Sequence, residues 1–439
     1  MAYEHQKSGN RKLRFHTGVV DHGGIAADPY IEGPERGFRD LFGQTGWMWM
    51  LRQAGFRTVT VSPFGERHSA WHWYAGFSEI YNPGKGGNER ADDVWPLASD
   101  WLERNAKSDH WFLHVNFWDP HTPYRAPEEY GNPFRGDPLP EWLTEEVRRK
   151  GWEGYGPHSP QEPIGFGGEK IHSQFPRVPD RLDSMEAVKM WIDGYDTGIR
   201  YADDCVGRLL NLLEDAGVLE ETVVFVSADH GENQGELNVW GDHQTADSIT
   251  CRVPLIVNWP GITKSSRVHD SLIQHYDWAA TTVELVGQKV PENWDGQPFA
   301  EAFKEGREWG RPYLVTSQNA WSCQRGVYFE DYLFLRTYHD GYKMLEPKML
   351  FDLNRDPHER HDLASEQPDL VVQGQSLLED WHTDMARTSR GNTDPMMTVL
   401  RQGGAYHTRG RLPKYLERLR ATGRGHHADR LIELHPDEV

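Results

Sequence analysis

The hydrophobic pattern of the chain alternates between helical and extended stretches. Trp47-Met48-Trp49-Met50-Leu51-Arg52-Gln53-Ala54 reads as a helix stopped by Gly55, and the β-branched run Thr58-Val59-Thr60-Val61 follows as a strand. The same order recurs twice. Val94 to Asn105 is amphipathic with helical spacing, and Trp111-Phe112-Leu113-His114-Val115-Asn116-Phe117 is a short apolar strand. Met185 to Leu213 is a long helix ended at Ala216-Gly217, with the strand Thr222-Val223-Val224-Phe225-Val226-Ser227 behind it. Repeated helix-then-strand units predict an α/β fold with a doubly wound, mostly parallel sheet. Beyond Pro254-Leu255-Ile256-Val257 the rhythm changes to short runs at hairpin spacing, Tyr313 to Thr316, Gly326 to Phe329 and Tyr332 to Arg336, which predict a smaller C-terminal α+β subdomain with an antiparallel sheet. The domain boundaries expected are 1–300 for the main domain and 301–439 for the subdomain, whose tail from about residue 366 is helical and charged enough to read as a solvated appendage. Residues 125–182, rich in Pro, Gly, Glu and Arg with little periodicity, read as a long excursion over the binding crevice.

In open α/β sheets that crevice lies beyond the carboxyl ends of the strands. Asp119-Pro120-His121 and Asp229-His230-Gly231 both occupy such places. Asp229-His230-Gly231-Glu232 offers a carboxylate and an imidazole side by side, with a glycine that lets the backbone turn tightly, which suits one divalent cation. A cation needs more than two ligands. Asp242 and His243 follow after a loop shaped by Gly235 and Gly241 and are candidates to return to the same crevice. A turn-capping role for Asp229, and ordinary hydrogen-bonded crevice histidines at 121 and 243, remain the alternatives.

Composition narrows the partners. With 67 Asp plus Glu against 47 Lys plus Arg, the formal net charge of −20 repels nucleic acid and anionic membranes at long range. A small anionic substrate is still allowed, because a cation can reverse the field inside a pocket. Cys205, Cys251 and Cys323 form no paired framework and no C-x-x-C motif, and read as buried thiols. The polar, basic start of the chain carries no apolar targeting region, and no stretch reaches the roughly 18 apolar residues of a membrane span, so a soluble, cytoplasmic protein is expected for the chain as given. The 18 tryptophans are expected to serve core and loop packing, with sugar stacking as the alternative.

Val-Val-Phe-Val-Ser-Ala-Asp-His-Gly-Glu-Asn at 223–233 and Cys-Arg-Val-Pro-Leu-Ile-Val-Asn-Trp-Pro-Gly at 251–261 resemble the sulfatase family of the alkaline phosphatase superfamily. Other stretches agree in order: Trp111 to Tyr124, Tyr195 to Asp203, Asp277 to Thr282 with Gly287 and Asp295-Gly296, and Phe351 to Ala364. The likeness extends from about residue 16 over nearly the whole chain. It implies an alkaline phosphatase-like fold and metal-dependent hydrolysis of sulfate esters, with a phosphodiesterase or phosphonate monoester hydrolase, or a noncatalytic remnant, as the alternatives. It implies that Asp229 and His230 are metal ligands, for a divalent cation of calcium type with manganese as the second choice. His121 would contact the ester's oxygens. Where relatives hold a lysine after the metal motif, this chain has Asp242 and His243, of which His243 is expected to assist. His68, with Arg67 beside it, matches a strand-end donor position more weakly. The substrate implied is a carbohydrate or small-molecule sulfate ester.

One departure stands out. The family begins with paired Asp ligands followed by C-x-P-x-R or S-x-P-x-R, whose Cys or Ser becomes the nucleophile, and this sequence contains neither form. Ser8-Gly9 and His16-Thr17-Gly18-Val19-Val20 resemble the stretch that follows that helix, so the nucleophile segment is expected upstream of Met1.

Overall fold

The computed structural model describes residues 46–68, 70–263, 267–388 and 394–439. The stretches at Ser8-Gly9 and His16 to Val20 lie outside the described residues. In chain order the strands are β1 (Arg57–Val61), β2 (Glu79–Tyr81), β3 (Trp111–Val115), β4 (Val224–Ser227), β5 (Asn233–Gln234), β6 (Trp240–Asp242), β7 (Leu255–Asn258), β8 (Tyr313–Gln318), β9 (Cys323–Phe329), β10 (Tyr332–His339) and β11 (Lys348–Asp352). The chain forms two compact units that interleave in sequence: residues 1–119, 200–226 and 256–311, and residues 120–199, 227–255 and 312–439.

In the first unit β1 pairs in parallel with β2 on one side and β3 on the other, with Val59 opposite Glu79 and Leu113. β4 and β7 form a separate pair. The helix Trp47–Gln53 ends as its sequence predicts: Gly55 takes φ +92° and its N–H returns to Arg52 O at 2.9 Å. The helix Ala91–Asn105 starts upstream of the predicted Val94. Two carboxylates explain the extension, since Asp93 accepts the Arg90 N–H at 2.9 Å and Asp119 Oδ2 accepts the Ala91 N–H at 2.8 Å. Asp119 of the strand-end motif therefore serves a helix start. Val59, Val61, Val94, Ala98, Trp101, Leu102, Leu209 and Leu213 make the core here. Each large aliphatic side chain so buried contributes roughly 1.5–3 kcal/mol.

The second unit is built on the antiparallel sheet β11-β10-β9-β8. β9 is buried along its whole length because both faces are covered. The helix Pro368–Thr388 supplies Val371 and Leu378 to Val327, Phe334 and Leu350. A second core gathers Tyr124, Leu182, Val188, Trp191 and Trp240. The C-terminal tail is not the solvated appendage its charge suggests. Leu412, Tyr415, Leu416 and Leu419 share one helical face and are buried with Tyr155 and Tyr342, while the charges occupy the other face. Glu162 locks this face down, fully buried between Arg418, at 2.7 Å, and Arg424, at 2.5 Å. The segment 125–182 falls in this second unit together with 312–439. Trp101, Trp191 and Trp240 are fully buried, which is packing. Among the described residues no helix is long and apolar enough to cross a membrane.

Candidate active site

Three segments of the second unit meet at one point: the turn after β3, the turn after β4, and the end of β6. They carry His121, His230 and His243. The imidazoles of His230 and His243 stack with centroids 3.7 Å apart and planes 19° apart. His121 stands edge-on to both, at 5.9 and 5.7 Å. One ring nitrogen from each lies within 4.8 Å of the other two. The sequence motifs predicted this meeting for His121 and His230, and the return of His243 follows from the short antiparallel pair β5–β6.

Glycines make the close approach possible at two positions. A Cβ on Gly231 would lie 1.9 Å from the Ile249 carbonyl oxygen, against which its backbone is packed. Gly241 has φ +66°, and a Cβ there would lie 2.2 Å from the Trp191 ring.

Below the histidines, Glu232 ties the segments together. Its carboxyl accepts the Tyr124 hydroxyl at 2.9 Å, the Thr122 N–H at 3.3 Å and the Gln234 amide at 3.3 Å. Thr122 Oγ1 donates to Gly241 O at 2.5 Å, and Trp191 Nε1 to Gln234 Oε1 at 2.9 Å. Burial, with Asp242 nearby, pushes the Glu232 carboxyl up to about 8, so it is largely neutral at pH 7.

Asp242 behaves in the opposite way. Burial alone would push its carboxyl up, but the imidazoles of His158 and His243 outweigh that and hold it well below the usual carboxylate range. Asp242 Oδ2 lies 3.0 Å from His158 Nε2. Oδ1 accepts the His243 backbone N–H at 2.7 Å and lies 3.3 Å from its Nδ1, a contact too poorly aligned to be a hydrogen bond. Burial holds His121 and His243 down to about 4, so both rings are neutral near pH 7.

Their tautomers are partly fixed by geometry. His121 Nδ1 is 2.6 Å from Thr122 O, and His230 Nδ1 is 2.9 Å from Gly231 O. A carbonyl oxygen only accepts, so Nδ1 carries a proton in both rings. Asp229 keeps a largely exposed carboxylate, 65% accessible, whose Oδ2 is 3.8 Å from His230 Nε2.

Arg67 and His68 belong to the first unit. There the His68 ring packs on Phe64 at 4.7 Å and faces Trp118 at 6.0 Å, and the Arg67 guanidinium lies 6.0 Å from the same Trp118 ring. Sequence reasoning missed His158 and Lys343. His158 sits in the aperiodic 125–182 stretch with φ +61°, and nothing in its neighbours marks it. Lys343 is fully buried, donates Nζ to Pro157 O at 2.6 Å, and is pushed down to about 7 by burial against the opposing pull of Asp242 and Asp340.

With this geometry in place, comparison with known proteins is informative. The family model "Sulfatase" matches residues 35–288, more than half of the chain and all three histidine segments. The chain belongs to the sulfatase family. A second model, "N-sulphoglucosamine sulphohydrolase, C-terminal", matches residues 235–383, which include the four-stranded sheet. Among curated sulfatases, the choline-sulfatase of Rhizobium meliloti (strain 1021) is 26% identical over 319 residues, covering 68% of this chain and 57% of that protein. The multifunctional alkaline phosphatase superfamily protein PehA of Trinickia caryophylli is 23% identical, covering 58% of this chain and 52% of its own length. The chain thus spans about half the length of these curated relatives.

Solved structures give the same fold. One, solved with its substrate D-glucosamine-2-N,6-O-disulfate, superposes with a TM-score of 0.60 at 18% identity, covering 87% of each chain. The phosphonate monoester hydrolase of Silicibacter pomeroyi superposes with a TM-score of 0.58 at 19% identity, covering 79% of this chain and 80% of its own. The doubly wound α/β architecture of the alkaline phosphatase superfamily, with a small antiparallel C-terminal sheet, is therefore the fold of this sulfatase-family chain. Members of the superfamily are metal-dependent, and the histidine cluster supplies candidate ligands.

Proposed function

We propose that this sulfatase-family chain hydrolyses sulfate esters of carbohydrates or other small molecules with the help of a divalent cation. The observation that carries the reading is the convergence of His121, His230 and His243 from three separate family-matched segments. Asp229 and His230 would hold the cation, calcium or manganese by family resemblance. When bound, it supplies positive charge to the ester's non-bridging oxygens. His121 and His243 face the same point and contact those oxygens. His243, next to the ionised Asp242, would assist at the ester as a hydrogen-bonding group. No C-x-P-x-R or S-x-P-x-R segment is present in the sequence to supply the attacking oxygen. Burial pushes the thiols of Cys205, Cys251 and Cys323 up to about 11, 12 and 12, which disfavours the nucleophilic thiolate form.

A second reading, hydrolysis of phosphodiesters or phosphonate monoesters, is favoured by the Asp229-His230 pair. Turnover of an aryl sulfate, an aryl phosphodiester and an aryl phosphonate by the chain, with calcium or manganese added, separates the two. Sulfate turnover that Asp229→Asn abolishes supports the first. Preference for either phosphorus ester supports the second. Turnover and metal content both unaffected by Asp229→Asn would remove the ligand assignment.

A further inference from the structure

A set of aromatic rings that the proposed hydrolysis does not use borders the candidate site, all within the second unit. Trp321, in the loop between β8 and β9, stacks on His407 with ring centroids 4.8 Å apart and planes 30° apart. His158 stands edge-on to Trp321 at 5.2 Å, and Phe166 tilts against it at 6.1 Å. Tyr406 stands edge-on to His407 at 5.2 Å and is 54% exposed. Unlike Trp101, Trp191 and Trp240, which the core buries, Trp321 keeps part of its surface open.

Hydrogen bonds hold this shelf beside the histidine cluster. Gln318 Nε2 donates to His243 O at 2.7 Å, Ser322 Oγ to Gln244 O at 2.7 Å, and the His407 N–H to Ala320 O at 2.8 Å. His158, on which Trp321 packs, is also the partner of Asp242. The turn at Gly341 backs the loop directly, since a Cβ there would lie 1.9 Å from Trp321 O.

Charge and unmet hydrogen bonds say what the shelf suits. Arg411 is exposed, and its side chain makes no hydrogen bond or ion pair among the described residues, although Asp plus Glu outnumber Lys plus Arg by 67 to 47. Its neighbours are committed: Arg409 donates to Gly404 O and Gln402 Oε1, and Arg418 pairs with Glu162. Burial lowers the His407 imidazole from its ordinary value, Asp242 opposes this and Arg411 adds to it, so the ring lies within electrostatic reach of both the carboxylate at the site and the guanidinium at the rim. Asn319 Oδ1 and both amide atoms of the fully buried Gln244 have no hydrogen-bond partner among the described residues. Sugar hydroxyls both donate and accept, which suits such amides.

We propose that Trp321, Tyr406 and His407 form a saccharide subsite and that Arg411 at its rim takes a second oxyanion, sulfate or carboxylate, of the sugar whose ester lies at the histidine cluster. The inference rests on the sulfate-ester reading above and narrows its substrate class to anionic saccharides. The apolar C–H face of a pyranose packs on aromatic rings while its hydroxyl edge stays free to hydrogen-bond. A planar guanidinium matches two oxygens of a sulfate or carboxylate at once. On a chain of net charge −20, which repels anions at long range, a local cation without a partner is what admits such a group.

The test measures, by calorimetry on the full chain with calcium present, the affinity for D-glucosamine-2-N,6-O-disulfate and for N-acetyl-D-glucosamine 6-sulfate. We expect the disulfate to bind about 10-fold tighter or more, the gain from one charge-assisted contact. Arg411→Gln abolishes that preference, whereas Arg104→Gln, which removes the same charge from the first unit, retains it. Tyr406→Ala weakens both sugars by roughly 3- to 10-fold, with folding of each variant checked by circular dichroism. No heat of binding from either sugar, equal affinity for the two, a preference that survives Arg411→Gln, or affinities insensitive to Tyr406→Ala each overturn the proposal. Turnover of an aryl sulfate by a chain that shows no preference for the disulfate would sink this inference and leave the hydrolase reading standing. Sugar binding in the expected order, with no sulfate ester hydrolysed, would do the reverse.

Discussion

The two histidine clusters of the second unit use nearly the same side chains and arrange their protons in opposite ways. In the first cluster, His121 and His230 each donate Nδ1–H outward to a backbone carbonyl, Thr122 O and Gly231 O. Around His339, His435 and Glu438, the protons face inward onto a carboxylate that also accepts the Tyr342 hydroxyl at 2.6 Å. Burial holds His121 and His243 down to about 4. His435 is buried too, but hydrogen bonds to Asp340 and Glu438 outweigh burial and raise it to about 9. What a histidine cluster can do is thus decided by the backbone and carboxylate groups at its rim, because they choose which nitrogen is protonated.

The largest expected effect breaks the comparison at its centre. His230→Ala should lower ester turnover by roughly 100-fold or more, whereas His435→Ala should leave turnover where it was; equal losses in the two variants would mean the clusters do not differ in function. Next comes the tie beneath the first cluster. Glu232→Ala strips a buried acceptor from Thr122, Tyr124 and Gln234 and should destabilise the second unit by about 2–4 kcal/mol in urea unfolding. Glu232→Gln keeps an acceptor and should cost under about 1 kcal/mol, since the carboxyl is already largely neutral at pH 7. Gly241→Ala forces a Cβ against Trp191 and should cost about 1–3 kcal/mol, with weaker metal uptake as the companion readout.

The smallest effect concerns pH. His435 has a folded value raised from 6.5 to about 9, so its contribution is fully present below pH 6.5 and is lost as pH rises through 9. Glu438 is held below its usual 4.5: burial works against this, and the hydrogen bonds from His339, His435 and Tyr342 prevail. Its contribution is present above pH 4.5 and lost on acidification. The C-terminal contacts should therefore be firmest between pH 4.5 and 6.5 and weaken by about 1–2 kcal/mol towards pH 9.5. Thermal melting across that range checks the sign, and His435→Ala should flatten the alkaline limb.

Much of this was legible in the chain. The helix-then-strand rhythm located β1, β3 and β4 to within two residues, because hydrophobic period and stop residues are local properties. The motifs at Asp119 to His121 and Asp229 to Glu232 marked the right strand ends. Asp119 was assigned a place in the crevice by its neighbours in sequence, and its Oδ2 also accepts the Ala91 N–H, a contact between residues 28 apart. His158, Lys343 and the buried face of the C-terminal helices were hidden for the same reason. Their roles come from partners far along the chain, and no window of sequence contains both members.

What the sequence alone determined is the order of elements, the family and the residue types available for chemistry, all of which follow from short-range pattern. Tertiary structure decided the rest. It brought His243 back beside His230 through β5 and β6, and it buried Glu232 until its carboxyl became neutral while leaving Asp242 ionised on the strand paired beside it. It also set the backbone carbonyls that fix each imidazole's proton. Desolvation and hydrogen-bond direction depend on everything within a few ångströms, and those neighbours are chosen by the fold.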